Sequence, residues 1–251
     1  LRTGDFNPHW FQYPSGYMYT VLLADIAYFL YGAAQGLFIS LPDGTPPQFY
    51  LVARLTTALL GTLIVLVVYH IGRTARSTLV GLLAAAFAAF SYLSVVHSHY
   101  ATTDIPATFV VALCTLFATL VLTQGRLTWY LLAGFSAGIA AGTKYNAGLV
   151  LLLLPLAHLL ALKRPDAFLD HRLVLGLLAA PLGFLLATPY ALFDLPSFLN
   201  GLAFELHHYH DYQTASMGLS GLWYARAVFA SADAPLAMAY VAGIVSAFVR
   251  P

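Results

Sequence analysis

Between Phe49 and Thr188 the chain is a succession of apolar runs. Arg54 is the one charged residue inside them; every other charge falls in the short breaks. The runs cover 49–71, 78–97, 105–123, 128–143, 147–162 and 173–188, with another at 235–249. A helix needs about 20 apolar residues to cross the roughly 30 Å hydrocarbon core of a bilayer, and these runs reach or approach that length. The composition agrees: 60% of residues are hydrophobic and 8% charged, with mean hydropathy +0.79, against about 25% charged in soluble domains. The pattern predicts an all-α, polytopic transmembrane helix bundle, an integral multi-pass membrane protein forming a single truncated transmembrane module over 1–251. Residues 1–48 read as an external loop with amphipathic surface helices, 49–190 as a bundle of about six spans, 191–234 as an external loop and 235–251 as a further span.

A formal net charge of +1 supplies no basic surface for nucleic acid. The single cysteine, Cys114, lies in an apolar run, which excludes an internal disulfide and a cysteine-built metal centre. No phosphate-binding loop, dinucleotide glycine fingerprint, nucleophile elbow or HExxH is present, so soluble nucleotide chemistry is unsupported. The chain begins Leu-Arg-Thr and ends Val-Arg-Pro without an initiator methionine or signal peptide, and reads as a piece of a longer protein.

Residues 1–16 mix aromatic rings with the turn signals Asn7-Pro8 and Tyr13-Pro14 and predict an interfacial loop. Residues 17–39 are apolar but carry Asp25 in the middle, where a lipid-facing acid is costly, so a surface segment is favoured over a span. Loop charges then orient the bundle. Arg73, Arg76, Arg126, Lys163, Arg164, Arg172 and Arg250 fall on one side, against Lys144, Arg226 and Arg2 on the other. The positive-inside rule makes the first side cytoplasmic. The external side then receives 97–104, Lys144 and 188–234, together with 1–16 if 17–39 does not span.

The stretch His97-Ser-His-Tyr-Ala-Thr-Thr-Asp104 is polar and ionisable between two apolar runs. In a membrane protein such groups must face water, a partner or a substrate. Capping of the next helix by Thr103 or Asp104, with Pro106 in its first turn, would explain Asp104 but not the two histidines and the tyrosine. If the helix persists, His97, Tyr100 and Asp104 share a face. Histidines two apart are poor helical partners for zinc. Lys144 suits a phosphate or pyrophosphate as a point charge, and Arg54 can meet an anionic headgroup; for both, snorkelling to lipid headgroups competes. Glu205, His208 and Tyr212 share a helical face and, with Tyr13, are candidates for acceptor or headgroup contact.

The order of motifs resembles a known family. Gly4-Asp-Phe-Asn-Pro-His-Trp-Phe-Gln-Tyr-Pro-Ser15, Arg54, Ser98-His-Tyr-Ala-Thr-Thr-Asp104, Gly142-Thr-Lys-Tyr145 and Ala187-Thr-Pro-Tyr190 are similar to the membrane module of GT-C glycosyltransferases. The nearest kin are bacterial family 39 enzymes, related to protein O-mannosyltransferases and aminoarabinose transferases. The resemblance covers nearly the whole chain. It implies a bacterial plasma-membrane enzyme that moves a sugar from a polyprenyl-phosphate donor to an acceptor hydroxyl at the external face, with inversion. It makes Asp104 the catalytic acidic position and Arg54, His97, His99, Lys144 and Tyr145 the phosphate- and substrate-binding candidates. It also implies an acidic base ahead of Gly4-Asp5 that this sequence does not include, for which Asp5 is a poor substitute; the piece alone would be inactive. No cofactor is fixed, and a divalent metal is left open. Gln12-Tyr-Pro-Ser15 stands where aminoarabinose transferases carry a lysine, which argues against that sugar.

Two alternatives make different expectations. A secondary transporter would place Asp25, Asp104 and Lys144 in a central pathway and show an internal repeat, of which we find no convincing trace. A non-catalytic membrane subunit would have no pocket joining Asp104, Lys144 and Arg54.

Overall fold

The structure, a computed structural model, describes residues 4–40, 43–162 and 170–216, with Met238 besides. The features expected at Arg2, Lys163, Arg164, Arg226, Arg250 and, Met238 aside, in the run 235–249 lie outside the described residues. The described chain is helical throughout and has no strand: α1 (Gly16–Ala34), α2 (Pro46–Ala75), α3 (Thr78–Phe90), α4 (Tyr92–Ser98), α5 (Asp104–Gln124), α6 (Leu127–Thr143), a 3-10 helix (Tyr145–Leu152) running into α7 (Leu153–Leu162), α8 (His171–Ala187), α9 (Tyr190–Phe193) and α10 (Leu195–Ser216). Among the described residues α1, α2 and α5 are each long and apolar enough to cross a membrane, and α3 with α4 would make a fourth span if the bent pair is one.

Local chemistry sets several of these boundaries. Thr45 and Gln48 form a reciprocal capping box ahead of α2, and Pro46 occupies its first turn, where the missing N–H costs nothing. Gly125, left-handed at φ 62°, closes α5 and lets α6 start two residues later. Ser91 adopts an extended conformation and caps α4 through the Ser94 N–H, so the run 78–97 is broken rather than continuous; the two helices are bent by 58°. The segment expected to be an external loop after Tyr190 contains the 22-residue helix α10.

At the centre, α6 lies between α5 and α8. Its glycines at 134, 138 and 142 recur every four residues and face α8, where a β-carbon on Gly134 or Gly138 would overlap the Gly176 or Ala180 carbonyl. Gly183 on α8 approaches the Phe135 carbonyl just as closely. In lipid, where tails are as apolar as leucine, such small-residue seams let backbones approach and gain dispersion contacts. Cys114, Val121, Tyr130, Ala133 and Leu154 fill the core beside the seam. Within it the Tyr130 hydroxyl and His158 Nδ1 lie 2.7 Å apart, both residues fully buried, which meets the demand that buried polar groups be paired. On the far side, the buried Tyr17 and Thr57 hydroxyls, 2.8 Å apart, tie α1 to α2.

Candidate functional site

The α6–α8 seam fixes the first functional side chain. At its end the Thr188 hydroxyl donates to the Gly142 carbonyl at 3.1 Å, and α6 stops at Lys144, whose backbone turns to an extended conformation. The Lys144 ammonium therefore projects from the end of a packed helix. It donates to Asp104 Oδ1 at 2.6 Å. Asp104 is the first residue of α5, and the hydroxyl of Thr103 before it makes no capping bond, so capping does not explain this stretch. The carboxylate is instead the counter-ion of Lys144, with both side chains partly exposed.

His97 arrives by a route the helical-face argument does not describe. Helix α4 ends at Ser98, and a turn over 99–103 intervenes before α5. The turn folds His97 back, so that Nδ1 lies 3.5 Å from Asp104 Oδ2 and its ring meets Tyr100 edge-on at 6.5 Å. His97 Nδ1 is buried and has no hydrogen-bond partner. Arg54, two turns into α2, donates from Nε to the His99 carbonyl at 2.6 Å, holding the same turn from the other side. The His99 ring is turned away from Asp104 and donates to the Val95 carbonyl at 2.7 Å. Gly61 on α2 makes room for Ser98 where the turn meets the bundle.

Two cavities flank this cluster. One, of about 580 Å³, is lined by Gln12, Tyr13, Lys144, Tyr145, Asn146 and Glu205 together with leucines from the 3-10 helix, α8 and α10. The other, of about 790 Å³, is an apolar groove between α2 and the α3–α4 pair that ends at Ser98 and His99. Asp104 and Arg54 line neither; Lys144 joins Asp104 to the first cavity, and the 97–104 turn joins Arg54 to the second.

The sequence candidates Asp104, Lys144 and His97 are thus brought together, and Arg54 is tied to them through the turn. Neither cavity joins Asp104, Lys144 and Arg54, the pocket that would have told an enzyme from a non-catalytic subunit. Tyr13 and Glu205 share a cavity with Lys144 and Tyr145. The Tyr145 hydroxyl is committed to the Phe11 carbonyl at 2.8 Å, which makes it a tie rather than a phosphate donor in this arrangement. The side chain of His208 lies outside the described residues. No group of three or more His, Cys, Asp or Glu among the described residues is arranged to hold a metal ion.

Residues 4–15 form a strap that the sequence alone did not reveal. Phe11 is buried against Phe198 and closes on Gly201, where a β-carbon would collide with its backbone. Asn7 donates to Asp194 Oδ2 at 2.7 Å; His9 reaches Asp5 at 2.8 Å and Asp194 at 3.5 Å. The Tyr19 hydroxyl donates to the Phe6 carbonyl. Turn signals and aromatics gave the loop, but its partner Asp194 is too distant in sequence for any local pattern to show.

Residues 48–193, more than half of the chain, match the family of dolichyl-phosphate-mannose-protein mannosyltransferases. The chain belongs to this family. No curated protein and no solved structure matches it. The matched segment runs from the start of α2 through α9 and holds Arg54, His97, Asp104, Lys144 and Tyr145, whereas the strap and α10, which form the facing wall of the first cavity, lie outside it. Membership makes the chain part of a membrane glycosyltransferase of the GT-C class, a family named for a sugar donor on a polyprenyl phosphate.

Proposed function

We propose that this family member transfers a sugar from a polyprenyl-phosphate donor to an acceptor hydroxyl at the external face of the membrane, with inversion. The observation that carries the reading is Lys144, which lines a leucine-rich cavity and donates to Asp104 outside it. An amphiphilic donor needs both: apolar wall for isoprenoid carbon and fixed positive charge for phosphate.

In this reaction the acceptor oxygen attacks the anomeric carbon as the bond to the phosphate oxygen breaks. The electron pair leaves on the lipid phosphate, and the hydroxyl proton passes to a carboxylate. Asp104 is assigned as the catalytic acid group: Oδ1 holds Lys144, and Oδ2, facing His97, is the oxygen on the open side of the pair. Lys144 and Arg54 stabilise the negative charge that develops on the leaving phosphate, where preorganised cations are worth most. His97 Nδ1, 3.5 Å from Asp104 Oδ2, places a second basic side chain beside the carboxylate. We place helix α1 on the external membrane surface, because Asp25 stands in its middle and an acid at that depth of a span is costly.

The test is transfer of a labelled sugar from polyprenyl-phosphate donors by the full-length protein in membranes, comparing wild type with Asp104→Asn and Lys144→Met at matched abundance. Loss of transfer in both variants is expected. Absence of transfer by wild type across a broad donor set would overturn the proposal.

A further inference from the structure

Beside the first cavity two aromatic rings of the strap stay exposed. Trp10 and Tyr13 stack with ring centroids 5.8 Å apart and planes inclined by 25°, yet remain 43% and 36% exposed. Phe11, between them in sequence, is the ring the strap buries, at 1% exposure. We propose that Trp10 and Tyr13 form a saccharide-binding platform, and that its ligand is a sugar ring of the acceptor.

The chemistry of the cavity lining fits such a ligand. A pyranose offers a face of C–H groups with partial positive charge, and an aromatic face is negative, so the two stack. Its hydroxyls both donate and accept around the edge. Beside Tyr13 the lining carries Gln12 and Asn146, whose amides do both, and Glu205, which accepts. All three line the same cavity as Tyr13, which puts hydrogen-bonding groups for ring hydroxyls beside an aromatic face.

The platform is also rigidly mounted. Phe11 is wedged against Phe198 and Gly201, its carbonyl accepts from Tyr145, and Asn7 and His9 pin the strap to Asp194. A loop that only anchored rings among headgroups would not need these ties; preorganisation lowers the ordering cost of binding a polar ligand. Tyr13 lines the cavity while Trp10 extends the stack beyond it. A ligand on Trp10, which does not line the cavity, sits outside the space that holds Lys144. That position suits an acceptor arriving from outside, rather than the donor sugar held next to its phosphate at Lys144.

The word acceptor rests on the transfer reading above, but binding needs no donor and is tested separately. The full-length protein is reconstituted in lipid nanodiscs, free of glycoside detergents. Saturation-transfer NMR is then recorded with methyl α-mannoside, methyl β-glucoside and a disaccharide, and with a Ser/Thr-rich peptide as competitor class. Saccharide binding is expected, with ring C–H contacts, weakened about tenfold in Trp10→Ala and in Tyr13→Ala and retained in Trp10→Phe, which guards against misfolding. Saccharide binding that persists with saturating polyprenyl-phosphate sugar supports the acceptor assignment; competition by that donor overturns it. Peptide binding alone, saccharide binding indifferent to both ring deletions, or quenching of Trp10 by brominated lipid without saccharide binding also overturns the proposal. Intact saccharide binding with no transfer would count against the transfer reading only.

Discussion

The two ends of the bundle each carry an acid paired with a base, and the pairs are built differently. At the end that collects Arg73, Arg76, Arg126 and Arg172, Asp170 caps α8 through the Arg172 N–H and takes the Arg172 guanidinium on both oxygens. The same guanidinium donates to the Gly125 carbonyl at 2.8 Å and lies over the Tyr130 ring at 5.8 Å. Through Tyr130 and His158 the ties run into the core. At the other end, Asp104 gives one oxygen to Lys144 and turns the other toward a histidine nitrogen that has no hydrogen bond, beside a cavity. A pair used for structure spreads its hydrogen bonds over the fold. The pair that we propose serves the chemistry is partly exposed and lies beside a cavity that a ligand can enter.

The largest expected effect tests the frame that both ends share. Gly138→Leu would drive a side chain into the Ala180 carbonyl across the α6–α8 seam, and we expect a loss of about 3 kcal/mol or of folded protein altogether. Thermal unfolding in detergent and yield from membranes measure it. Normal stability would show that the seam is looser than described.

Lys144→Met separates the ends next. The variant should lower transfer by about 100-fold, mainly in kcat, because the ammonium acts on charge that develops in the transition state. Stability should change little, since the pair is partly exposed. Steady-state kinetics with a defined donor decides it; a change confined to KM would reassign Lys144 to ground-state binding.

These pairs were not equally legible. Asp104 and Lys144 stood out because each is an isolated charge between apolar runs, and membrane energetics makes such residues conspicuous whatever the fold. That the two meet was invisible locally, since it depends on where α5 starts and α6 stops. His97 was correctly grouped with Asp104, but for a helical reason that the bend at Ser91 and the 99–103 turn replace. The seam of Gly134, Gly138 and Gly142 was not read from the sequence, and the structure supplies both it and its partner face. The strap could not be read at all, because Asn7 meets Asp194 and Phe11 meets Phe198 across nearly the whole described chain.

Tyr130→Phe probes the structural end. It removes the Tyr130 hydroxyl from a fully buried hydrogen bond, so we expect about 1 kcal/mol of destabilisation. Transfer per folded molecule should be unchanged. Lost transfer with unchanged stability would mean that the two ends are coupled.

The smallest effect concerns the strap. The Asp5 hydrogen bond raises the His9 pKa above its ordinary 6.5, and Asp5 and Asp194 are held below their ordinary 3.8, Asp5 chiefly by the His9 hydrogen bond and Asp194 chiefly by Asn7. The imidazole's contribution is complete below 6.5 and is lost as pH rises through its raised value. The carboxylates' contribution is present above 3.8 and is lost as pH falls through their lowered values. The strap should therefore be held best between about pH 4 and 6.5. Limited proteolysis near Phe6 should be modestly faster at pH 8.5 than at pH 6, about twofold because the groups are exposed. His9→Gln should erase the difference; a difference that survives it would remove His9 from the pin.

The most direct measurement sets one acid against the other. Asp104→Asn and Asp170→Ala are made in the full-length protein, and sugar transfer and thermal stability are recorded for both. The account predicts that Asp104→Asn abolishes transfer while keeping wild-type stability, and that Asp170→Ala lowers stability by about 1 kcal/mol through the lost cap while transfer per folded molecule survives. Transfer that persists in Asp104→Asn, or that is lost in both variants with stability intact, would contradict it.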